Sequence, residues 1–339
     1  MRPSWRSTNS NKRRHSMLTR LLRVLAAFAL AAATAVSWSQ TYPSKPITVL
    51  VPFSSGGTVD IVARILGQYM TKEFGRPLVI DNRGGAGGNI ASGMLARAAP
   101  DGHTLMFHHM GLAFNASLYE RLPFDTQRDL IPVAYIGVTP NVLVVTNSFP
   151  GKTVQDFLTE AKARPNTINF GSGGVGSAGH LPMELLQSMA GITMLHVPYK
   201  GSGQAITDLM AGQIQTMLLT IPAVMPFIQS GQVRAIATSG PRRSPALPTL
   251  PTLDEAGIKG FDYTPWYGVF APAGTPVAVL DKIHAAVNKA IADPEIRQKL
   301  AAQGMEVEPL SRVAFAEMVK SDIGKWSKII KNLNIRATE

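Results

Sequence analysis

Three clusters of glycine and small hydroxyl residues concentrate this chain's capacity for chemistry. They are Ser54-Ser55-Gly56-Gly57, Gly84-Gly85-Ala86-Gly87-Gly88-Asn89, and Gly171-Ser172-Gly173-Gly174-Val175-Gly176. Each follows a short apolar run and precedes a helical pattern. Where a strand turns into a helix through glycine, backbone N–H groups at the helix N-terminus are left free and uncovered by side chains. Such a turn binds an anion, and a carboxylate serves as well as a phosphate. The third cluster also fits G-x-G-x-x-G, the dinucleotide fingerprint. That reading fails, because no acid ends the next strand to hold a ribose; Tyr199-Lys200 stands there instead. The first cluster adds the hydroxyls of Ser54 and Ser55 to the backbone donors. Two such loops facing each other from different lobes would grip an acid between them.

Other chemistry finds less support. There is no G-x-S-x-G elbow, no Walker G-x-x-x-x-G-K-[ST] and no H-E-x-x-H. Adjacent His108 and His109 lie on a strand pattern, where neighbours point to opposite faces, so they do not read as joint metal ligands. His180 sits just past the third loop, where it binds an anion or orients the loop. His196 reads as structural, and Asp60 as a capping or dipole residue at a helix start. No nucleophile–base–acid set is visible, and neither a cofactor nor a metal is expected.

The elements that must position these loops alternate. Pro46–Phe53 is a continuous apolar run, as expected of a strand buried on both faces. The periodic positions Val59, Val62, Ile65, Leu66, Tyr69, Met70 and Phe74 predict a helix over 58–74. Further strands are expected at 77–81, 104–107, 142–146, 168–170, 194–197, 215–219, 233–238 and 268–271. Helices are expected from the second glycine loop to near Ala98, near 154–163, 181–189, 204–211 and 276–292, and from a Ser311 N-cap toward Ile330. This alternation, with glycine at strand C-ends, predicts an α/β protein with mainly parallel sheets. About 300 residues of it favour two lobes with a cleft over one open sheet.

Composition fixes the setting. The 339 residues include 33 Lys+Arg, 22 Asp+Glu and no cysteine, for a formal charge of +11. Without cysteine there is no disulfide scaffold, thiol nucleophile, iron–sulfur cluster or Cys-ligated zinc. No acid precedes Asp60, and seven basic residues lie in 1–39, all ahead of an apolar stretch at Val24–Val36. That stretch is too short to span a bilayer as a helix, which needs about 20 residues. Ser37 and Ser39 follow at the spacing of a cleavage site, so 1–39 reads as a secretory signal peptide. Met17 would start a leader of more ordinary length. Removing those seven leaves +4, with no basic run interleaved with aromatics, and nucleic-acid binding is excluded as a reading.

In order along the mature chain stand Tyr42-Pro43-Ser44-Lys45-Pro46-Ile47, Val51-Pro52-Phe53 with Gly56-Gly57 and Asp60, and Asp81-Asn82-Arg83 leading into the second glycine loop. Ala98-Ala99-Pro100-Asp101-Gly102 follows, then Phe170-Gly171-Ser172 through Gly176-Ser177 to His180, and His196-Val197-Pro198-Tyr199-Lys200-Gly201. Asp208-Leu209, Arg243-Ser244-Pro245-Ala246-Leu247-Pro248 and Ala271-Pro272-Ala273-Gly274-Thr275-Pro276 complete the series. With these residues the chain resembles the extracytoplasmic solute receptors of tripartite tricarboxylate transporters, the Bug or TctC-like family.

The resemblance implies a two-lobed periplasmic-binding-protein (type II-like) fold with two interlobe crossovers. Lobe 1 would be 41–141 plus 266–339, and lobe 2 would be 142–265. It implies a monomeric periplasmic receptor, not an enzyme, that captures a small carboxylate and delivers it to integral-membrane permease subunits. The ligand carboxylate would lie between the loop after the first strand (Phe53, Ser54, Ser55, Gly56, Gly57) and the loop from Ser172 through Gly174, Gly176 and Ser177 to His180. Asn89, His108, His109, Thr220, Trp266 and Tyr267 join the expected ligand-binding set. Two departures from the family pattern bear on the ligand. Leu218-Leu219 precede Thr220 where the family often has Phe-Asp, which removes a partner for a ligand ammonium. His108-His109-Met110 is an uncommon choice after Phe107. With Leu219, Met110, Trp266 and Tyr267 nearby, an aromatic or short aliphatic acid is favoured. A ligand sensor for a membrane signalling partner, or an exported α/β hydrolase, are the alternatives.

Overall fold

The computed structural model describes residues 42–337; the leader read at 1–39 lies outside the described residues. The fold below is that of the compact unit that begins at Lys45. Its strands are β1 (Ile47–Val51), β2 (Leu78–Asn82), β3 (Thr104–His109), β4 (Leu130–Val138), β5 (Asn141–Thr146), β6 (Asn169–Ser172), β7 (Leu195–Pro198), β8 (Thr216–Thr220), β9 (Val233–Thr238), β10 (Trp266–Pro272) and β11 (Glu306–Val307). Between them run α1 (Thr58–Phe74), α2 (Asn89–Ala96), α3 (Gly111–Leu118), α4 (Thr126–Asp129), α5 (Val154–Ala163), α6 (Leu181–Ala190), α7 (Ser202–Met210) and α8 (Ile221–Gln229). The chain ends in α9 (Val277–Ala292), α10 (Pro294–Ala302) and α11 (Arg312–Asn332).

Two sheets result. One has the order β11-β4-β10-β3-β1-β2 and the other β7-β6-β8-β5-β9. The chain passes between them twice, from β4 to β5 through Thr139-Pro140 and from β9 to β10 through 239–265. These connections lie side by side. Ser239 N donates to Asn141 O at 2.8 Å, Tyr263 N to Ser239 O at 2.8 Å, and Ser239 Oγ to Tyr263 O at 2.6 Å. The buried Asn141 amide ties the first connection to the second sheet by donating to Ala178 O and Leu218 O at 2.8 and 3.1 Å.

The sheets are mixed, not mainly parallel. β1 pairs in parallel with β2 and β3, and β6 with β7 and β8. β10 runs antiparallel to β3 and β4, as does β5 to β8 and β9. The cause is the double crossing: a strand entering a sheet from the other one need not obey the right-handed βαβ rule that makes local neighbours parallel. β4, whose inner residues Val133, Ala134 and Ile136 are buried, the short β11, and helices α3, α4, α8 and α10 were not among the expected elements. α8 begins with Pro222 in its first turn, a position where the missing N–H costs nothing.

The core follows from the patterning. β1 is buried at four of five positions, and α1 turns Val59, Val62, Ala63, Leu66 and Met70 inward. α11 buries Phe315, Val319, Trp326 and Ile330, and its Ser311 N-cap accepts from Ala314 N at 3.1 Å. No helix of the described residues is long and apolar enough to cross a membrane.

Candidate functional site

The C-terminal ends of β1, β3 and β8 and the N-termini of α1 and α7 converge on one cavity. It lies between residues of the two sheets. Phe53, Gly57, Thr58, Val59, His109 and Tyr267 come from the first-sheet side; Gly173, Ser177, Ala178, Gly179, Ser202, Leu219 and Thr220 come from the second. The cavity has a volume of about 420 Å³, part of it open to solvent.

No lining residue carries a formal charge. The donors are neutral, and several are unspent. α1 is capped by Gly57 with no side-chain cap, so its first N–H groups lack intrahelical acceptors. α7 opens the same way behind Gly201. Ser177 is 4 % exposed, and its Oγ has no hydrogen-bond partner among the described residues. Tyr267, 2 % exposed, bonds through its hydroxyl to Thr58 and Thr220, whose own hydroxyls are bonded to each other across the cavity. Burial drives the Tyr267 phenol well above its ordinary range, so it stays a neutral donor. An anion buried here would be held by amides and hydroxyls alone, the arrangement that offsets carboxylate desolvation without a counter-ion.

His109 forms part of the wall. It stands opposite Tyr267 in the β3–β10 register, and its ring stacks on Phe53 with centroids 4.8 Å apart and planes 12° apart. Burial, and then the neighbouring His108, hold it neutral, well below the ordinary histidine range.

Of the residues expected at the site, Phe53, Gly57, His109, Ser177, Thr220 and Tyr267 line the cavity. The others are placed around it, each for a visible reason. Trp266 precedes Tyr267 on β10, and strand alternation turns it to the opposite face, where Nε1 donates to Asp322 Oδ2 at 2.7 Å and the ring borders a second cavity. His108 is turned away by the same alternation and lies beneath Gly88, whose backbone leaves no room for a Cβ. Met110 borders the second cavity with Trp266. Gly56 gives its N–H to Asp60 Oδ2 at 3.1 Å, and Ser55 is exposed beside Asn82. Asn89 accepts from Asn115 Nδ2 at 2.9 Å.

The third glycine loop is scaffolded from behind. Ser172 Oγ bonds to His196 Nε2 at 2.7 Å and accepts from Gly174 N at 3.1 Å. His180 Nδ1 accepts from Gly176 N at 3.3 Å, and its ring stacks on His196 at 4.2 Å. His180 therefore orients the loop, the second of the roles its position allowed. Burial pushes His180 down to about 3 and His196 down to about 4. Asp60, in the first turn of α1, takes the Gly56 N–H just ahead of the helix, while the Gly57 cap itself has no side-chain partner. Burial opposes its charge, yet bonds from Arg64 and Gly56 N prevail and lower its pKa.

Sequence reasoning missed Thr58, Val59, Gly173, Ala178, Gly179 and Ser202 as lining residues. Ser202 had a signal. Gly201-Ser202-Gly203 follows β7 and opens α7, the same strand–glycine–helix design as the first cluster. The two designs meet. A Cβ placed on Gly57 would stand 3.4 Å from Ser202 Oγ, and one on Gly201 would lie 2.8 Å from Ser54 N. Nearby, Tyr119 Oη donates to Val175 O at 3.1 Å, and a Cβ on Gly84 would stand 2.7 Å from Lys200 O.

Comparison with known proteins places this geometry. Residues 62–335 match the family described as the tripartite tricarboxylate transporter family receptor, TctC. The Bordetella pertussis protein BugT is 34 % identical over 93 % of this chain and 97 % of its own length. Among solved structures, R. palustris Rpa4515 with adipate is 34 % identical, with a TM-score of 0.85 over 87 % of this chain and 99 % of its own. MatC from Rhodopseudomonas palustris with bound malate is 33 % identical, with a TM-score of 0.82 over 85 % of this chain and all of its own. Matched over most of its length, the chain belongs to the tripartite tricarboxylate transporter receptor family, the TctC or Bug-like solute-binding proteins.

Proposed function

We propose that this receptor works in the periplasm. There it captures a small carboxylate between lobes 41–141 plus 266–339 and 142–265, and passes it unchanged to membrane permease subunits of a tripartite transporter. One observation carries the reading. The cavity is walled from both sheets by uncharged donors, among them two uncapped helix N-termini and the unpartnered Ser177 hydroxyl. The adipate and malate of the two related structures are ligands of the same chemical class. Ligand contacts are assigned to Phe53, Gly57, Thr58, His109, Ser177, Ser202, Thr220 and Tyr267, with Ser54, Ser172, Gly174, Gly176 and His180 shaping the loops that hold them. Phe53, Leu219, Val59 and Ala178 supply an apolar part that suits an aromatic or short aliphatic body.

Lobe closure would bury the ligand, and the closed form would be what the permease recognises. The test is a thermal-shift and calorimetric screen of leaderless protein against mono- and dicarboxylates. A ligand at 100 times its Kd stabilises by roughly 2.7 kcal/mol, and it should be recovered chemically intact. Silence across the whole acid panel, or steady conversion of a bound ester or amide, would end this reading; the second result would favour a hydrolase.

A further inference from the structure

The hydrogen bonding of His109 gives it one fixed polarity. Gly111 N donates to His109 Nδ1 at 2.7 Å. A neutral imidazole that accepts at Nδ1 carries its proton at Nε2. A Cβ on Gly111 would lie 2.8 Å from His109 Nδ1, so that edge of the ring is packed against the start of α3. The Nε2–H makes no hydrogen bond to the described residues. His109 is 3 % exposed, and the face it shows belongs to the cavity wall. The groups around it do not change its polarity. His108 is its neighbour on β3, Tyr267 faces it from β10, and Phe53 covers its ring. No carboxylate lines the cavity, since Leu219 occupies the wall just before Thr220.

We propose that His109 is a specificity-determining residue. With Nδ1 held by Gly111, it presents only a donor, so the receptor takes acids bearing a hydroxyl or carbonyl oxygen at this wall and rejects those with an ammonium there. The proposal rests on the carboxylate cleft proposed above. An ammonium at the wall meets N–H against N–H, with no carboxylate to neutralise it. A hydroxyl or carbonyl oxygen accepts the Nε2 proton without rearrangement. A polar group left buried and unpaired is what lets a site discriminate strongly between ligands of equal size.

The test is calorimetry on matched acids in which one oxygen is exchanged for ammonium at successive chain positions. The pairs are lactate and alanine, 3-hydroxybutyrate and 3-aminobutyrate, and 4-hydroxybutyrate and 4-aminobutyrate. For the pair whose substituent reaches His109, the hydroxy acid should bind at least about 100-fold more tightly. His109→Phe keeps the stack on Phe53 but deletes the donor; the hydroxy acid should weaken about tenfold while its amino partner binds as well as before or better. His109→Gln keeps an amide near the Nε2 position without the Gly111 lock, and it can turn either way. Its discrimination should fall below about tenfold. Long-range ¹⁵N correlation spectra of the wild type should show Nε2 protonated and Nδ1 bare, with and without ligand. Amino acids binding within about threefold of every hydroxy partner, or a proton found on Nδ1, would overturn the proposal and leave the carboxylate reading intact. No heat from any acid would overturn both.

Discussion

Gly201→Ala tests whether the site works by closing. Gly201 has φ 163°, extended backbone that any residue adopts, so alanine brings no conformational strain of its own. What it brings is a collision across the cleft. The new Cβ would lie 2.8 Å from Ser54 N and 2.9 Å from Ser54 Cβ, where about 3.4 Å is the lower edge of ordinary contact. Rotating the Ser54 hydroxyl cannot relieve this, because two of the colliding atoms are backbone N and Cβ. The loop after β1 and the start of α7 must separate by about half an ångström, and those segments carry the donors. Overpacking of this kind costs about 1–3 kcal/mol. If the cost falls only on the closed form, the Kd for a bound carboxylate rises about 5- to 150-fold. The ligand-free protein should melt unchanged or slightly higher, since alanine restricts the unfolded chain by about 0.4–1 kcal/mol relative to glycine. Calorimetry with the best acid of the screen, alongside melting curves without ligand, reads both quantities. Binding within twofold of wild type would refute the contact as part of ligand capture. A ligand-free stability loss as large as the binding loss would refute closure, because it would put the collision in the resting fold.

Four further outcomes are expected. Tyr119→Phe removes the bond to Val175 O and should weaken ligand binding by a few-fold, equivalent to about 0.5–1.5 kcal/mol, in the same calorimetric assay. Asn141→Ala strips the donor from two buried carbonyls, Ala178 O and Leu218 O; denaturant unfolding should show a loss of about 2–4 kcal/mol. Gly324 lies exposed within α11, and a methyl added there would meet nothing within 4 Å, so Gly324→Ala should raise stability by up to about 1 kcal/mol in the same unfolding assay. Burial holds His180 down at about 3 and His108 down at about 4, while the unfolded chain protonates near 6.5. Both are neutral in the fold, so stability is full above 6.5 and falls progressively with pH toward those folded values. Each should withdraw about 2 kcal/mol at pH 5, and melting temperatures that are flat between pH 7 and 5 would contradict this.

The sequence by itself determined the α/β class and the glycine junctions between strand and helix, while the two-lobed fold came from its resemblance to a known family. The reason is local. A continuous apolar run such as β1, a 3.6-residue period such as that of α1, and glycine at the junction each report the backbone they impose. Strand alternation, a rule as local as these, already separates Tyr267 from Trp266 and His109 from His108, although all four were expected at the site. What only the tertiary structure decided is which members of each cluster face the cavity. Asp60 takes the Gly56 amide, and His196 and His180 take up Ser172 and the loop behind it, because each lies within one hydrogen bond of a partner distant in sequence or across a turn. Ser202 enters the wall because α7 is carried to face α1 by pairing of β6 with β7, a placement that no spacing along the chain encodes. The mixed strand directions have the same origin. They follow from the chain crossing twice between sheets, and the order in which β4, β5, β9 and β10 find their neighbours is settled by long-range packing, not by the pattern of any one segment.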